Sequence, residues 1–295
     1  MFKRLALVLA ACMALLTPAP RAQAAPLRIT ATFYPLYVAT LNLMQGVEGV
    51  ELACLAPPQA GCLHEYQMTT ADRRLLADSD LVIMNGAGLE AFLEPLLPTL
   101  DGRWLDSSVG IPLLIEEDDH GHGSYNPHVW VSVQGMKEQV NNIAGGLSRL
   151  DPGNAALYAA NAAAYIEKLS ALDSEMRTTL APYAGTPILT FHEAFAYFAA
   201  DFDLRVVATL QHESGDAPSA RRLAEVITVI RAEGVQSLFA EPQYEDASVE
   251  IIARETGLPI YLLDPVVSDP ADPADPDGYL RVMRQNLATL LEALP

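Results

Sequence analysis

From Asn154 to Leu180 the chain reads NAALYAANAAAYIEKLSALDSEMRTTL, about 27 residues rich in Ala, Leu, Glu and Lys with neither glycine nor proline. At 1.5 Å per residue this predicts a rod about 40 Å long, enough to run the length of a pair of lobes. On both sides of it short β-like runs alternate with amphipathic stretches. The runs begin at Leu27, Val50, Asp80, Pro187, Leu204, Val235 and Leu258. TTADRRLLADS and SARRLAEVITVIRAEG carry the helical period between them. Strands alternating with helices build parallel sheets covered on their faces. The expected fold is therefore α/β: two α/β lobes with mainly parallel sheets, joined by a long connecting helix. An ordinary packing helix inside one lobe is the competing reading of 151–182.

The first 24 residues have the charged, apolar, small-residue order of a secretory signal, with cleavage expected after Ala24. Leu9-Ala10-Ala11-Cys12 also fits a lipoprotein signal, in which Cys12 would carry the lipid. Expected domains are the signal 1–24, an N-terminal lobe 25–150, the connector 151–182 and a C-terminal lobe 183–295. No later run approaches the roughly 20 apolar residues of a membrane span. The expected location is the periplasm, soluble or lipid-tethered.

The chain carries 18 basic and 37 acidic residues, a net charge of −19. Removing residues 1–24 takes away Lys3, Arg4 and Arg21 but no acid, leaving 15 basic residues and a charge of −22. That balance argues against nucleic acid and anionic lipid as partners and suits a solvated protein that attracts cations. Cys54 and Cys62 would remain, closing the loop CLAPPQAGC. In an oxidising compartment they read as a disulfide that stiffens the approach to His64, with Cys62 as a metal ligand the rival.

Open α/β sheets bind ligands beyond the carboxyl ends of their strands. His192 follows PILTF directly, Glu241 ends VQSLFAE, Asp264 ends LPIYLLD, His64 follows VELACLAPPQAGCL, and His128 lies in NPHVW after the strand-like IPLLI. Three imidazoles and a carboxylate make a tetrahedral set for zinc, while manganese or iron would favour more oxygen. Glu241 reads as an acceptor that orients a ligand imidazole, or as the fourth ligand in place of Asp264. His212 reads as solvent-exposed. The run EEDDHGHG places Glu116, Glu117, Asp118, Asp119, His120 and His122 in one short acidic segment, either a weak accessory metal loop or a solvated loop. DPADPADPD, from 269 to 277, is too proline-rich for a helix and lacks the spacing of a calcium loop.

Four fragments, in order, resemble the metal-binding proteins of zinc and manganese ABC importers, the cluster A-I solute-binding proteins. They are GCLHEYQMTTADRRLLADSDLVIMNGAGLEAFLEPLL, NPHVWVS, TFHEAFAYFAADF, and FAEPQY followed by YLLDP. The resemblance implies a metal held in the cleft between the lobes by His64, His128, His192 and Asp264. Manganese-type relatives commonly have glutamate where this chain has His192, which favours the zinc branch. It also implies capture of Zn²⁺ as transported ligand and delivery to a permease in the inner membrane with its cytoplasmic ATPase, by a monomer. EEDDHGHG looks like a shortened form of the His-rich loop of zinc-type members, whereas the Cys54 and Cys62 pair is outside the family's common pattern.

Two other classes match parts of this pattern. A zinc hydrolase would use the three histidines with Glu241 as base, but HExxH is absent, since Met68 and Ala196 stand four residues after His64 and His192. No enzyme activity is expected. A surface adhesin on the same fold, as some relatives of this family have been described, is the third reading.

Overall fold

The computed structural model describes residues 25–57, 63, 66–117, 123–210, 218–243, 247–268 and 272–295. The N-terminal half builds a parallel sheet from β1 (Leu27–Ala31), β2 (Val50–Cys54), β3 (Leu81–Met84) and β4 (Trp104–Asp106), in the order β2-β1-β3-β4. Helices α1 (Tyr34–Leu43) and α2 (Thr70–Asp78) make its first two crossovers, and 3-10 turns at Ala91–Leu93 and Leu97–Leu100 make the third. Thr69 and Asp72 start α2 with a reciprocal capping box, the device expected of Thr three residues ahead of an acid. Strand β3 is buried along its whole length, as a central parallel strand covered on both faces must be.

A two-stranded antiparallel hairpin follows, β5 (Ile115–Glu117) with β6 (Gly123–Tyr125). Of IPLLI, only Ile115 enters a strand. Helix α3 (Val133–Leu150) then leads through a 3-10 turn, Pro152–Asn154, into α4 (Ala155–Leu180) and a closing turn, Ala181–Tyr183. The glycine-free segment is thus one 26-residue helix, with Tyr158, Ala162, Tyr165, Leu169, Leu172, Met176 and Leu180 buried at three- and four-residue intervals. It packs along α3.

The C-terminal half repeats the design. Strands β7 (Pro187–Thr190), β8 (Arg205–Thr209), β9 (Leu238–Ala240) and β10 (Ile260–Leu262) form a parallel sheet ordered β10-β9-β7-β8. Helices α5 (Ala196–Asp201), α6 (Ala220–Glu233) and α7 (Ala247–Thr256) connect the strands. The last helix, α8 (Gly278–Ala293), returns to touch α1 and α4 as well as β10.

Two lobes thus share one long helix, and they also share a core. A single cluster of buried apolar side chains runs from Ile29 and Leu36, through Tyr165 and Leu172 of α4, to Ile188, Phe198, Val266 and Tyr279. Smaller cores lie under α2 in the first lobe and under α6 and α7 in the second. No helix among the described residues is long and apolar enough to cross a membrane.

Candidate metal site

His192 and Glu241 come from neighbouring strands of the second sheet. Thr190 of β7 pairs with Phe239 of β9, so the residues just past the two strand ends emerge side by side. Both side chains are buried, and Nδ1 of His192 lies 3.1 Å from Oε1 of Glu241. The carboxylate accepts there, so Nδ1 carries the proton and the ring's lone pair sits on Nε2, the tautomer a metal requires. The other carboxylate oxygen of Glu241 accepts from Nε2 of Gln243 at 2.5 Å.

His128 is set by a different device. Asn126 Oδ1 accepts the backbone N–H of His128 at 2.9 Å and lies 3.0 Å from its Nδ1. The amide of Asn126 is itself oriented, because Nδ2 donates to the carbonyl of Glu193 at 2.9 Å. With Oδ1 so placed, Nδ1 of His128 is the donor and the lone pair again belongs to Nε2. Pro127 in turn accepts from Nδ2 of Asn85 at 2.8 Å, and Asn85 is held by Gln139 and by the buried carboxylate of Glu90. Burial pushes the Glu90 carboxyl up to about 7, against donors that favour its charge: Thr32 Oγ1 and the N–H groups of Asn85, Gly86 and Glu90 itself.

The two rings meet edge to face, with centroids 4.7 Å apart and planes at 86°. Trp130 closes the wall beside them. Its ring lies 5.1 Å from that of His128 and 4.7 Å from that of Phe33, at the end of the first strand of the first lobe. Its indole N–H donates to the carbonyl of Pro265 in the second lobe at 2.7 Å. Tyr279 of α8 donates to the carbonyl of Trp130 at 2.9 Å.

Asp264 leaves β10 into the turn Asp264–Ser268. Its backbone exchanges two hydrogen bonds with the amide of Asn286. Its carboxylate accepts from the N–H of Val267 at 3.1 Å and from Ser268 Oγ at 2.7 Å. Burial raises its pKa, partly opposed by those donors. Asp264 also lines a groove of about 630 Å³ between β10 and α8. The turn is strained: Val266, completely buried, has φ +67°, a region that a β-branched residue rarely enters.

The structure therefore brings His128, His192 and Glu241 together and engages the carboxylate of Asp264 in its own turn. Among the described residues, no three of His, Cys, Asp and Glu are grouped so as to hold a metal ion. His64, Cys62, His120, His122, Asp118, Asp119 and His212 lie outside the described residues. Cys54 is a free thiol among the described residues, donates to the carbonyl of Ala56, and is pushed up to about 12 by burial. Asn126 has no signal in the sequence beyond its place two residues before a histidine.

Residues 29–293 match the family described as the zinc-uptake complex component A, periplasmic. The chain belongs to this family. It is 31% identical to the zinc-binding lipoprotein AdcA of Streptococcus pneumoniae over 98% of this chain and 60% of that protein. The chain thus spans less than two thirds of that relative's length. It is 27% identical to the high-affinity zinc uptake system protein ZnuA of Brucella abortus, over 90% of this chain and 91% of the relative. The solute-binding protein FpvC of Pseudomonas aeruginosa, solved in complex with Mn²⁺, superposes with a TM-score of 0.82 at 29% identity, covering 91% of this chain and 98% of that one.

Proposed function

We propose that the chain is a zinc receptor that captures Zn²⁺ outside the cytoplasmic membrane and hands it to the permease of an ABC-type importer with its cytoplasmic ATPase. The observation that carries this reading is the buried imidazole pair, one ring from each half of the chain, each with Nδ1 turned to an oxygen acceptor and Nε2 left as the basic nitrogen. His64 is the third ligand and Asp264 the fourth, with Glu241 orienting His192 rather than binding the metal. The lobes are 25–150 and 183–295, joined through 151–182. The mature protein is monomeric and periplasmic, freed by cleavage after Ala24 or tethered through Cys12. Residues 116–123 supply an accessory loop, and no bond is made or broken in the cargo.

Manganese or iron as cargo is the second reading, supported by the relative solved with Mn²⁺. Two nitrogen donors at the centre of the site favour zinc over it. Calorimetric titration of the metal-free protein with zinc and with manganese, against a competing chelator, separates them. Expected is one tight zinc site, lost in His128→Ala and kept when residues 116–123 are deleted. Zinc affinity should also fall between about pH 7.5 and about pH 5.5, as protons compete for the imidazoles. Tight manganese binding, or zinc binding that survives His128→Ala, refutes the zinc reading.

A further inference from the structure

Away from the imidazoles, the same two turns, already joined through Asn126 to Glu193 and to Tyr197, are tied together again. His128 opens a 3-10 turn, Val129–Val131, that ends at Ser132, the residue capping α3. Ser132 Oγ accepts the N–H of Gly135 at 3.0 Å and donates to Oδ2 of Asp201 at 2.5 Å. Asp201 is the last residue of α5, and α5 continues directly from the turn opened by His192. The hydrogen bond between Ser132 and Asp201 therefore spans the two short rigid segments that carry the two rings.

The long helix α4 holds this tie in place. Arg177 donates Nη1 to the carbonyl of Asp201 at 2.5 Å, with Nη2 3.9 Å from Oδ1, and its guanidinium lies over Phe202, 5.5 Å from the ring centroid. Its Nε stands 3.0 Å from Oδ1 of Asp173. Asp173 also accepts from Gln134 Nε2 at 2.6 Å and lies 3.8 Å from Lys137 Nζ, both from α3. The first lobe, the connector and the second lobe thus meet in one polar cluster of two carboxylates and two cations. Burial raises the carboxyl of Asp201 and the neighbouring Asp173 adds to it, while Ser132, Arg177 and Lys137 act in the opposite sense.

We propose that Ser132 and Asp201, braced by Arg177, are positioning residues for the metal site: by locking the two ring-bearing turns together they set the spacing of His128 and His192 and so the residence time of the bound ion. This rests on the zinc-receptor reading above. A merely structural contact would add stability to the fold without altering what the rings present to a metal. Both turns are closed by backbone bonds, however: from Val131 to His128 and from Ser132 to Val129 in the first, and from Ala196 to Glu193 in the second. A shift of Ser132 relative to Asp201 is thus passed to the rings rather than absorbed.

The test combines zinc release into excess chelator, the visible absorption of the Co²⁺-loaded protein, and thermal melting of the metal-free protein. Expected for Ser132→Ala and for Asp201→Ala is roughly tenfold faster zinc release and a weaker, shifted Co²⁺ spectrum. The double variant should be no worse than either single one, because both remove the same tie. Ser132→Thr should restore the wild-type rate, and Arg177→Gln, at a half-exposed position, should lie between. Lower melting temperatures with a wild-type release rate and Co²⁺ spectrum overturn the proposal. If either the Ser132 or the Asp201 variant does not fold, Arg177→Gln decides alone, unchanged release overturning the proposal. A wild-type protein that binds neither ion tightly overturns the receptor reading first, and the positioning role with it.

Discussion

Glu241 stands 3.1 Å from Nδ1 of His192 and is as deeply buried as the ring it faces. A carboxylate there does two things to the imidazole: it fixes the tautomer and raises the basicity of Nε2. Glu241→Gln keeps an acceptor but removes the charge. It should weaken zinc binding by about 10- to 100-fold, with Glu241→Ala weaker again, both measured by chelator competition. Loss of all binding in the glutamine variant would instead point to Glu241 as a ligand.

Trp130 offers an optical report on the site, since its ring is 5.1 Å from that of His128. The chain has two tryptophans, and the other, Trp104, is partly exposed on the edge strand β4. Zinc addition should change the fluorescence of Trp104→Phe nearly as much as that of the wild type and leave Trp130→Phe almost silent. Trp130→Phe also orphans the carbonyl of Pro265, which should cost about 1–3 kcal/mol in denaturant unfolding.

Glu90 makes stability depend on pH in the less usual sense for an acid. Its folded pKa is raised from 4.5 to about 7 by burial, so the folded chain keeps a proton that the unfolded chain has lost between those values. The contribution is complete below the unfolded pKa and is lost as pH rises through the folded one, with a slope of up to about 1.4 kcal/mol per pH unit. Glu90→Gln should remove this slope in urea titrations of the metal-free protein at about pH 5, 6 and 7. Its absolute stability should be lower, because an amide nitrogen would face the N–H of Gly86.

Gly135 lies so close to the turn carrying His128 that an added Cβ would meet the carbonyl oxygen of Val129 at 2.1 Å. That atom is backbone and can yield only by moving the turn. Gly135→Ala should therefore cost about 1–3 kcal/mol and also weaken zinc binding. Circular-dichroism melts and the competition titration check the two effects separately.

The strand-end rule led to His192 and Glu241 because parallel strands deliver their following residues to one edge, and that is written in the order of apolar runs; His128 instead follows an antiparallel hairpin, and of the strand-like IPLLI ahead of it only Ile115 enters a strand. The connector was legible for a related reason, an uninterrupted helical composition. Helix α3 was harder to read. VQGMKEQVNNIAGGLSRL contains three glycines, poor helix formers, yet Gly135 fits under Val129 and Gly146 under Leu105. Close packing overrode propensity. Strand β4 is three residues on a sheet edge, too short to show a period. Asp264 lies just past its strand, near where the pattern put it, but a carboxylate followed by Ser268 can close its own turn, and nothing in the linear pattern says which partner it takes. Asn126 and Ser132 matter through partners 67 and 69 residues away, a kind of relation that local spacing does not encode.

The apolar core that runs without a break from Ile29 through α4 to Tyr279 makes the walls around His128 and His192 parts of one packed body. A site built into such a body is preorganised: an arriving ion finds its nitrogens already oriented and spends little of its binding free energy on ordering them. The corollary concerns departure. Moving the two rings apart means disturbing that shared core, so faster unloading calls for free energy supplied by contact with another molecule.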